Sequence, residues 1–127
     1  MELTFRNQPP VKILNLSGSF INTTVAPARQ WLEDATADRP AYIVIDLSAV
    51  RFMDSTGLST LVFAMKRARA LRGDVRVCGL QQPVRMIFEM TRLDQIFEIF
   101  SQVDDAIQAF GVGEPGVIDK KDEGLAR

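Results

Sequence analysis

Apolar and polar positions alternate along this chain in short strand-like runs set between longer helical ones. Leu3-Thr4-Phe5-Arg6-Asn7 alternates weakly before Gln8-Pro9-Pro10 breaks it. In Val11-Lys12-Ile13-Leu14-Asn15-Leu16, the odd positions Val11, Ile13 and Asn15 take one face and Lys12, Leu14 and Leu16 the other, and Ser17-Gly18-Ser19 ends the run. This predicts two short strands paired antiparallel across a Pro-containing turn. Phe20 to Thr24 reads as a polar-edged loop with Asn22, Thr23 and Thr24 as candidate N-caps. A helix follows from about Val25 to Thr36, with Pro27 tolerated in its first turn. Its Ala28, Trp31, Leu32 and Ala35 recur at i, i+3, i+4 and i+7, the spacing of a buried stripe.

Tyr42-Ile43-Val44-Ile45 opens a strand expected to run to Leu47; an unbroken β-branched and aromatic run suits burial on both faces of a mostly parallel sheet. From Ser55 to about Leu71 the period is helical, with Leu58, Leu61, Val62 and Met65 inward, widened by Ala64 and Ala68. Lys66, Arg67, Arg69 and Arg72 crowd its last turns, where cations complement the helix dipole. They are either a solvated helix end or a partner contact. After Gly73-Asp74 come a strand, Val75–Cys78, and a helix from Pro83 to Thr91 with Val84, Ile87, Phe88 and Thr91 on one face. Leu93-Asp94-Gln95 turns into a last strand, Ile96–Phe100, and a final helix points Val103, Ala106, Ile107 and Phe110 inward. Strands alternating with helices indicate βαβ crossovers, hence an α/β domain over residues 1–110. From Gly111 the periodicity is lost, and 111–127 reads as a tail without fixed structure.

Composition narrows the chemistry. The chain has 127 residues, 46% apolar, which favours one domain with a sizeable core. No apolar run approaches the roughly 18–20 residues of a membrane span, and Met1-Glu2-Leu3-Thr4 has no signal-peptide character. A single cysteine, Cys78, excludes an internal disulfide and suits a reducing compartment, so a cytoplasmic location is expected. There is no histidine, which removes imidazole acid–base chemistry, Ser-His-Asp triads and histidine metal sites. No metal, cofactor or catalytic residue is expected. The net charge of −1 argues against direct nucleic-acid binding.

What remains is Asp54-Ser55-Thr56-Gly57, where a strand hands a hydroxyl pair to a helix N-terminus with unpaired N–H groups. Such a place either holds an anion or becomes anionic when a hydroxyl is phosphorylated. The plainer reading makes Ser55 an N-cap. Against it, no Glu or Gln stands three residues after either hydroxyl, so there is no capping box. Gly57 in the first turn costs roughly 1 kcal/mol relative to Ala, and its missing side chain suits close approach of a partner's backbone.

Leu16-Ser17-Gly18, Val44-Ile45-Asp46-Leu47-Ser48, Phe52-Met53-Asp54-Ser55-Thr56-Gly57-Leu58, Leu61 followed by Lys66, and Thr91-Arg92-Leu93-Asp94 together resemble the STAS domain. More narrowly, the chain is similar to bacterial anti-sigma factor antagonists over about residues 3–110. The resemblance implies a mixed, mostly parallel sheet of four to five strands, with about four helices packed largely on one side. It also implies a partner-switching binding protein rather than an enzyme. In that family the unphosphorylated antagonist binds an anti-sigma factor, a serine kinase of the histidine-kinase-like ATPase fold, and so frees the sigma factor. The kinase then phosphorylates the serine directly after the motif Asp, here Ser55, and a metal-dependent serine phosphatase reverses the step.

The expected partner-binding set is Asp54, Ser55, Thr56, Gly57, Asn22, Met86 and Met90. Asp54 either serves the phosphorylation, by steering a kinase-bound metal or holding the Ser55 rotamer, or helps cap the helix. Thr56 is a second acceptor or a packing residue. Met86 and Met90 are core margin or an adaptable docking surface. The chain departs from the family at Gly18-Ser19-Phe20-Ile21-Asn22, where a carboxylate is often found; Asn22 is the candidate for that place. The alternative function is a STAS adaptor or scaffold in another partner-switching, stressosome-like or lipid-transport system.

Overall fold

Parallel strands need crossover connections, and the helical runs between the β-branched segments supply them. The structure, a computed structural model, describes residues 1–111; the tail expected over 111–127 lies, apart from Gly111, outside the described residues. The elements in chain order are β1 (Glu2–Gln8), β2 (Val11–Phe20), α1 (Ala26–Ala35), β3 (Tyr42–Met53), α2 (Ser55–Ala70), β4 (Asp74–Cys78), α3 (Gln82–Met90), β5 (Ile99–Phe100) and α4 (Val103–Gln108). They build one five-stranded sheet in the order β1-β2-β3-β4-β5. β1 runs antiparallel to β2, and the other pairs are parallel.

Right-handed crossovers put α1, α2 and α3 on the same face. There Ala28, Leu32, Leu61, Ala64, Val84 and Phe88 pack on Leu14, Leu16, Ile43, Ile45, Val75 and Val77. α4 covers part of the opposite face, setting Ala106 and Ile107 on Val11, Ile13, Val44 and Cys78. This is the expected α/β arrangement, a mixed and mostly parallel sheet with its helices largely on one side. The run at Ile43, Val44 and Ile45 is fully buried on both faces, as its unbroken apolar character predicts. Burial, followed by the nearby negative charge of Asp46, pushes the Cys78 thiol up to about 12.

Several boundaries differ from expectation. β2 does not stop at Ser17-Gly18-Ser19, nor β3 at Leu47. The two extensions pair with each other, Ser17 with Ala49, Gly18 with Val50, Ser19 with Phe52 and Phe20 with Met53. The register shifts between Asn15 and Ser17 and again between Gly18 and Ser19. Gly18 has φ of 89°, a conformation glycine adopts without strain at such an irregularity. The last strand is only Ile99–Phe100, because Leu93–Gln95 forms a 3-10 turn whose Leu93 carbonyl accepts from the Ile96 and Phe97 N–H groups at 3.0 and 2.9 Å. Phe97 then packs edge-on against Phe88 at 5.7 Å. Thr91, expected inward, is exposed, and its hydroxyl donates back to the Ile87 carbonyl at 2.6 Å.

Two of the cations closing α2 are structural ties. Arg67 donates to the Thr36 hydroxyl at 2.9 Å and to the Thr36 carbonyl at 3.2 Å. Arg69 bonds Asp74 at 2.8 Å and the Ile96 carbonyl at 2.7 Å. Trp31, Leu58 and Val62 sit at the margin of the core rather than inside it.

Candidate functional site

The paired ends of β2 and β3 release two segments side by side: the loop after Phe20 and the start of α2 after Met53. Asp54 joins them. Its backbone is extended (φ −104°, ψ −174°), as an N-cap requires. One carboxylate oxygen, Oδ1, accepts from the Gly57 N–H at 2.9 Å. The other, Oδ2, accepts from the Asn22 N–H at 2.9 Å. The Asp54 carbonyl accepts from Leu58 at 3.0 Å to begin the helical ladder. Asp54 is therefore the cap, and the reading that gave this role to Ser55 is set aside. Ser55 is the first helical residue, exposed, and nothing among the described residues bonds its hydroxyl.

Gly57 is buried, and a Cβ there would fall on the Phe20 carbonyl oxygen and 2.9 Å from Phe20 Cδ2. The close backbone approach that this glycine permits is thus from Phe20 of the same chain, not one left open for a partner. Thr56 is half-buried, and its carbonyl accepts from the Ser59 and Thr60 hydroxyls at 3.0 and 2.8 Å. None of Asn22, Thr23 and Thr24 caps α1, where Val25 holds the cap position with no side-chain bond. Thr24 secures the loop instead: its hydroxyl donates to the Ser19 carbonyl at 2.8 Å and accepts from the Ile21 N–H at 2.9 Å.

The Gly57 N–H holds the Asp54 carboxyl below the ordinary carboxylate range; partial desolvation opposes this, and the Asn22 and Thr56 amides add to it. A depressed folded-state pKa contributes stability above the ordinary value of about 3.8, and that contribution is lost as pH falls through the depressed one. Asp54→Ala is therefore expected to lower the urea midpoint at neutral pH. The gap from wild type should narrow as the titration descends below about pH 4. A gap that stays constant with pH would show that the carboxylate's charge is not what holds the site.

Of the expected residues, the structure brings together Asp54, Ser55, Thr56, Gly57 and Asn22. Met86 and Met90 stand on α3 outside this bonded cluster, 48% and 78% exposed. Not foreseen were the loop-shaping parts played by Phe20 and Thr24, the latter expected only as a helix cap, and the exposure of two aromatics, Phe52 and Phe63. Phe63 follows Ser55 and Ser59 at four-residue steps along one ridge of α2. It lines a groove of about 410 Å³ with Arg29, Glu33, Ser59 and Thr60. An aromatic out of phase with the apolar stripe was the available signal. Among the described residues no acidic or cysteine cluster is arranged to hold a metal, and no helix is long and apolar enough to cross a membrane.

The family model for the STAS domain matches residues 2–106. An anti-sigma F factor antagonist of Paenibacillus polymyxa is 27% identical over 108 residues, covering 84% of this chain and 92% of that protein. An anti-sigma-F factor antagonist of Mycobacterium tuberculosis is 29% identical over 106 residues, covering 83% and 85%. The crystal structure of an anti-sigma factor antagonist from Mycobacterium paratuberculosis is similar with a TM-score of 0.74 at 31% identity, covering 85% of this chain and 92% of that one.

Proposed function

The chain belongs to the STAS domain family, and we propose that this protein is an anti-sigma factor antagonist switched by phosphorylation of Ser55. Unphosphorylated, it binds an anti-sigma factor, a serine kinase of the histidine-kinase-like ATPase fold, and the sigma factor is released. The observation that carries this reading is the exposure of Ser55 at the first position of α2, beside a carboxylate already engaged by two backbone amides. The naming of the Paenibacillus and Mycobacterium relatives supports the same role.

With both oxygens bonded, Asp54 positions the serine and is poorly placed to take its proton. The base and the metal belong to the kinase, and this protein acts as a substrate and binding partner in the cytoplasm, without nucleic-acid contact of its own. A phosphoryl group adds about −1.5 to −2 charges at pH 7. At a helix N-terminus that charge is compatible with the fold; pressed against a docked protein it brings desolvation and repulsion from Asp54. The complex separates, and a metal-dependent serine phosphatase resets the protein. Asn22 and Thr56 complete the contact surface at the helix start, and Gly57, buried against Phe20, shapes it from beneath. The exposed Phe52, Phe63, Met86 and Met90 are further contact residues in this reading.

The test is to incubate the protein and its Ser55→Ala variant with Mg-ATP and the serine kinases of its own genome, then map phosphate by mass spectrometry. Phosphate on Ser55 of the wild type and none on the variant is the expected result. Phosphate elsewhere, or on neither, would favour the adaptor or scaffold reading and sink the switch.

A further inference from the structure

The outer edge of β1 is a full strand of backbone that the sheet leaves without a partner among the described residues. The opposite edge, β5, is only two residues long and offers little to pair with. β1 instead pairs with β2 over seven consecutive positions without a register shift. Between Glu2 and Gln8 there is no proline, lysine or bulge to keep another edge away, and the strand's two charges, Glu2 and Arg6, are of opposite sign. Leu3 packs against the main core and Phe5 lies 6.0 Å from Trp31, so both face the helices. Phe5 nevertheless remains 60% exposed. Strand alternation puts Glu2, Thr4 and Arg6 on the other face.

We propose that β1 pairs antiparallel with β1 of a second copy about a two-fold axis at Thr4, joining the two sheets into one. The side chains select this register. With Thr4 opposite Thr4, Glu2 faces Arg6 of the second copy and Arg6 faces its Glu2, so two opposite-charge pairs form on the solvent face. On the helix face Leu3 meets Phe5 twice, covering the exposed ring beside Trp31. Centring the pair on Leu3 or Phe5 instead leaves Glu2 and Arg6 with no opposite charge across the strand. An axis perpendicular to the sheet keeps both α1 helices on the same side, as the shared apolar face requires. This contact lies two strands from β3 in the sheet and does not depend on Ser55 or on the switch proposed above.

Light scattering coupled to size-exclusion chromatography of the full chain is expected to show a dimer that grows with concentration. Glu2→Arg or Arg6→Glu alone replaces two attractions by two repulsions and should raise the dimer dissociation constant about tenfold or more. The double variant restores the pairs and should restore the dimer. Thr4→Cys, on the axis, should form an intermolecular disulfide under mild oxidation, because facing Cβ atoms lie about 5 Å apart. Glu2→Cys should not, since its copies lie roughly 14 Å apart along the strands. The one native thiol, Cys78, is buried and gives no background. Circular dichroism verifies the fold of each variant. A monomer at every concentration, a double variant no better than the singles, or Glu2→Cys cross-linking as readily as Thr4→Cys would each overturn the proposal. A chain that stays monomeric alone but takes up an added strand-forming peptide would assign the edge to another protein and overturn it too.

Discussion

Ser55→Asp is expected to weaken binding to the anti-sigma factor by about a hundredfold or more, a loss near 3 kcal/mol, while leaving the far-ultraviolet circular dichroism unchanged. The two halves of this expectation have separate causes. Within the domain, residue 55 is the first helical position, exposed, with a hydroxyl that holds nothing among the described residues. A carboxylate there meets the positive end of the helix dipole, which offsets repulsion from Asp54. The Asp54 bonds to Gly57 and Asn22 are backbone contacts and stay in place. At an interface the same charge is desolvated beside another carboxylate and has no partner, and the loss appears there. Titration calorimetry against the purified anti-sigma factor measures the first half, and urea unfolding checks the second. Ser55→Ala should bind like wild type. An aspartate variant that binds normally would remove Ser55 from the interface, and one that unfolds would make the serine structural.

Gly57→Ala should act in the opposite way, lowering stability by about 2–3 kcal/mol. In an open helix this substitution would be favourable by roughly 1 kcal/mol. Here the added carbon collides with the Phe20 carbonyl, a backbone atom at the end of a paired strand, and not with the free end of a side chain. Either α2 or the β2 end must shift, and the Asn22 N–H moves with it. The midpoint of urea unfolding is the measurement. A more stable alanine variant would mean that the two segments can part without loss, contrary to the role given to the Asp54 bridge. Because 2–3 kcal/mol is a large share of the usual 5–15 kcal/mol of a folded domain, this change should also reduce the yield of folded protein.

The core was legible in the sequence where side chains alone determine the outcome. The run Tyr42–Ile45 predicts a strand buried on both faces because every residue in it is apolar or aromatic, and α1 and α3 show their stripes at helical spacing. The ends of β2 and β3 were not legible. Ser17, Gly18, Ser19 and Ala49 carry no burial signal, because backbone pairing across an irregular register holds them there. The candidate site shows the same division. Asp54-Ser55-Thr56-Gly57 marks a helix start by residue type alone. That Asp54 and not Ser55 is the cap depends on a backbone angle, and its second bond reaches an amide 32 residues earlier in the chain. The need for glycine at 57 comes from Phe20, a tertiary contact with no local signature.

The sheet is laid down in chain order, each strand beside its predecessor. Growth from the N-terminus therefore adds each strand to an edge that already exists, with no gap held open for a later segment. The antiparallel β1–β2 pair is the most local of these contacts and forms soonest, whereas each parallel pair must first close a loop through a helix. Both segments that meet at Asp54 fall within the first 57 residues, so the bonds that set the start of α2 come from β2 and β3, whereas the body of the helix is seated chiefly on β4.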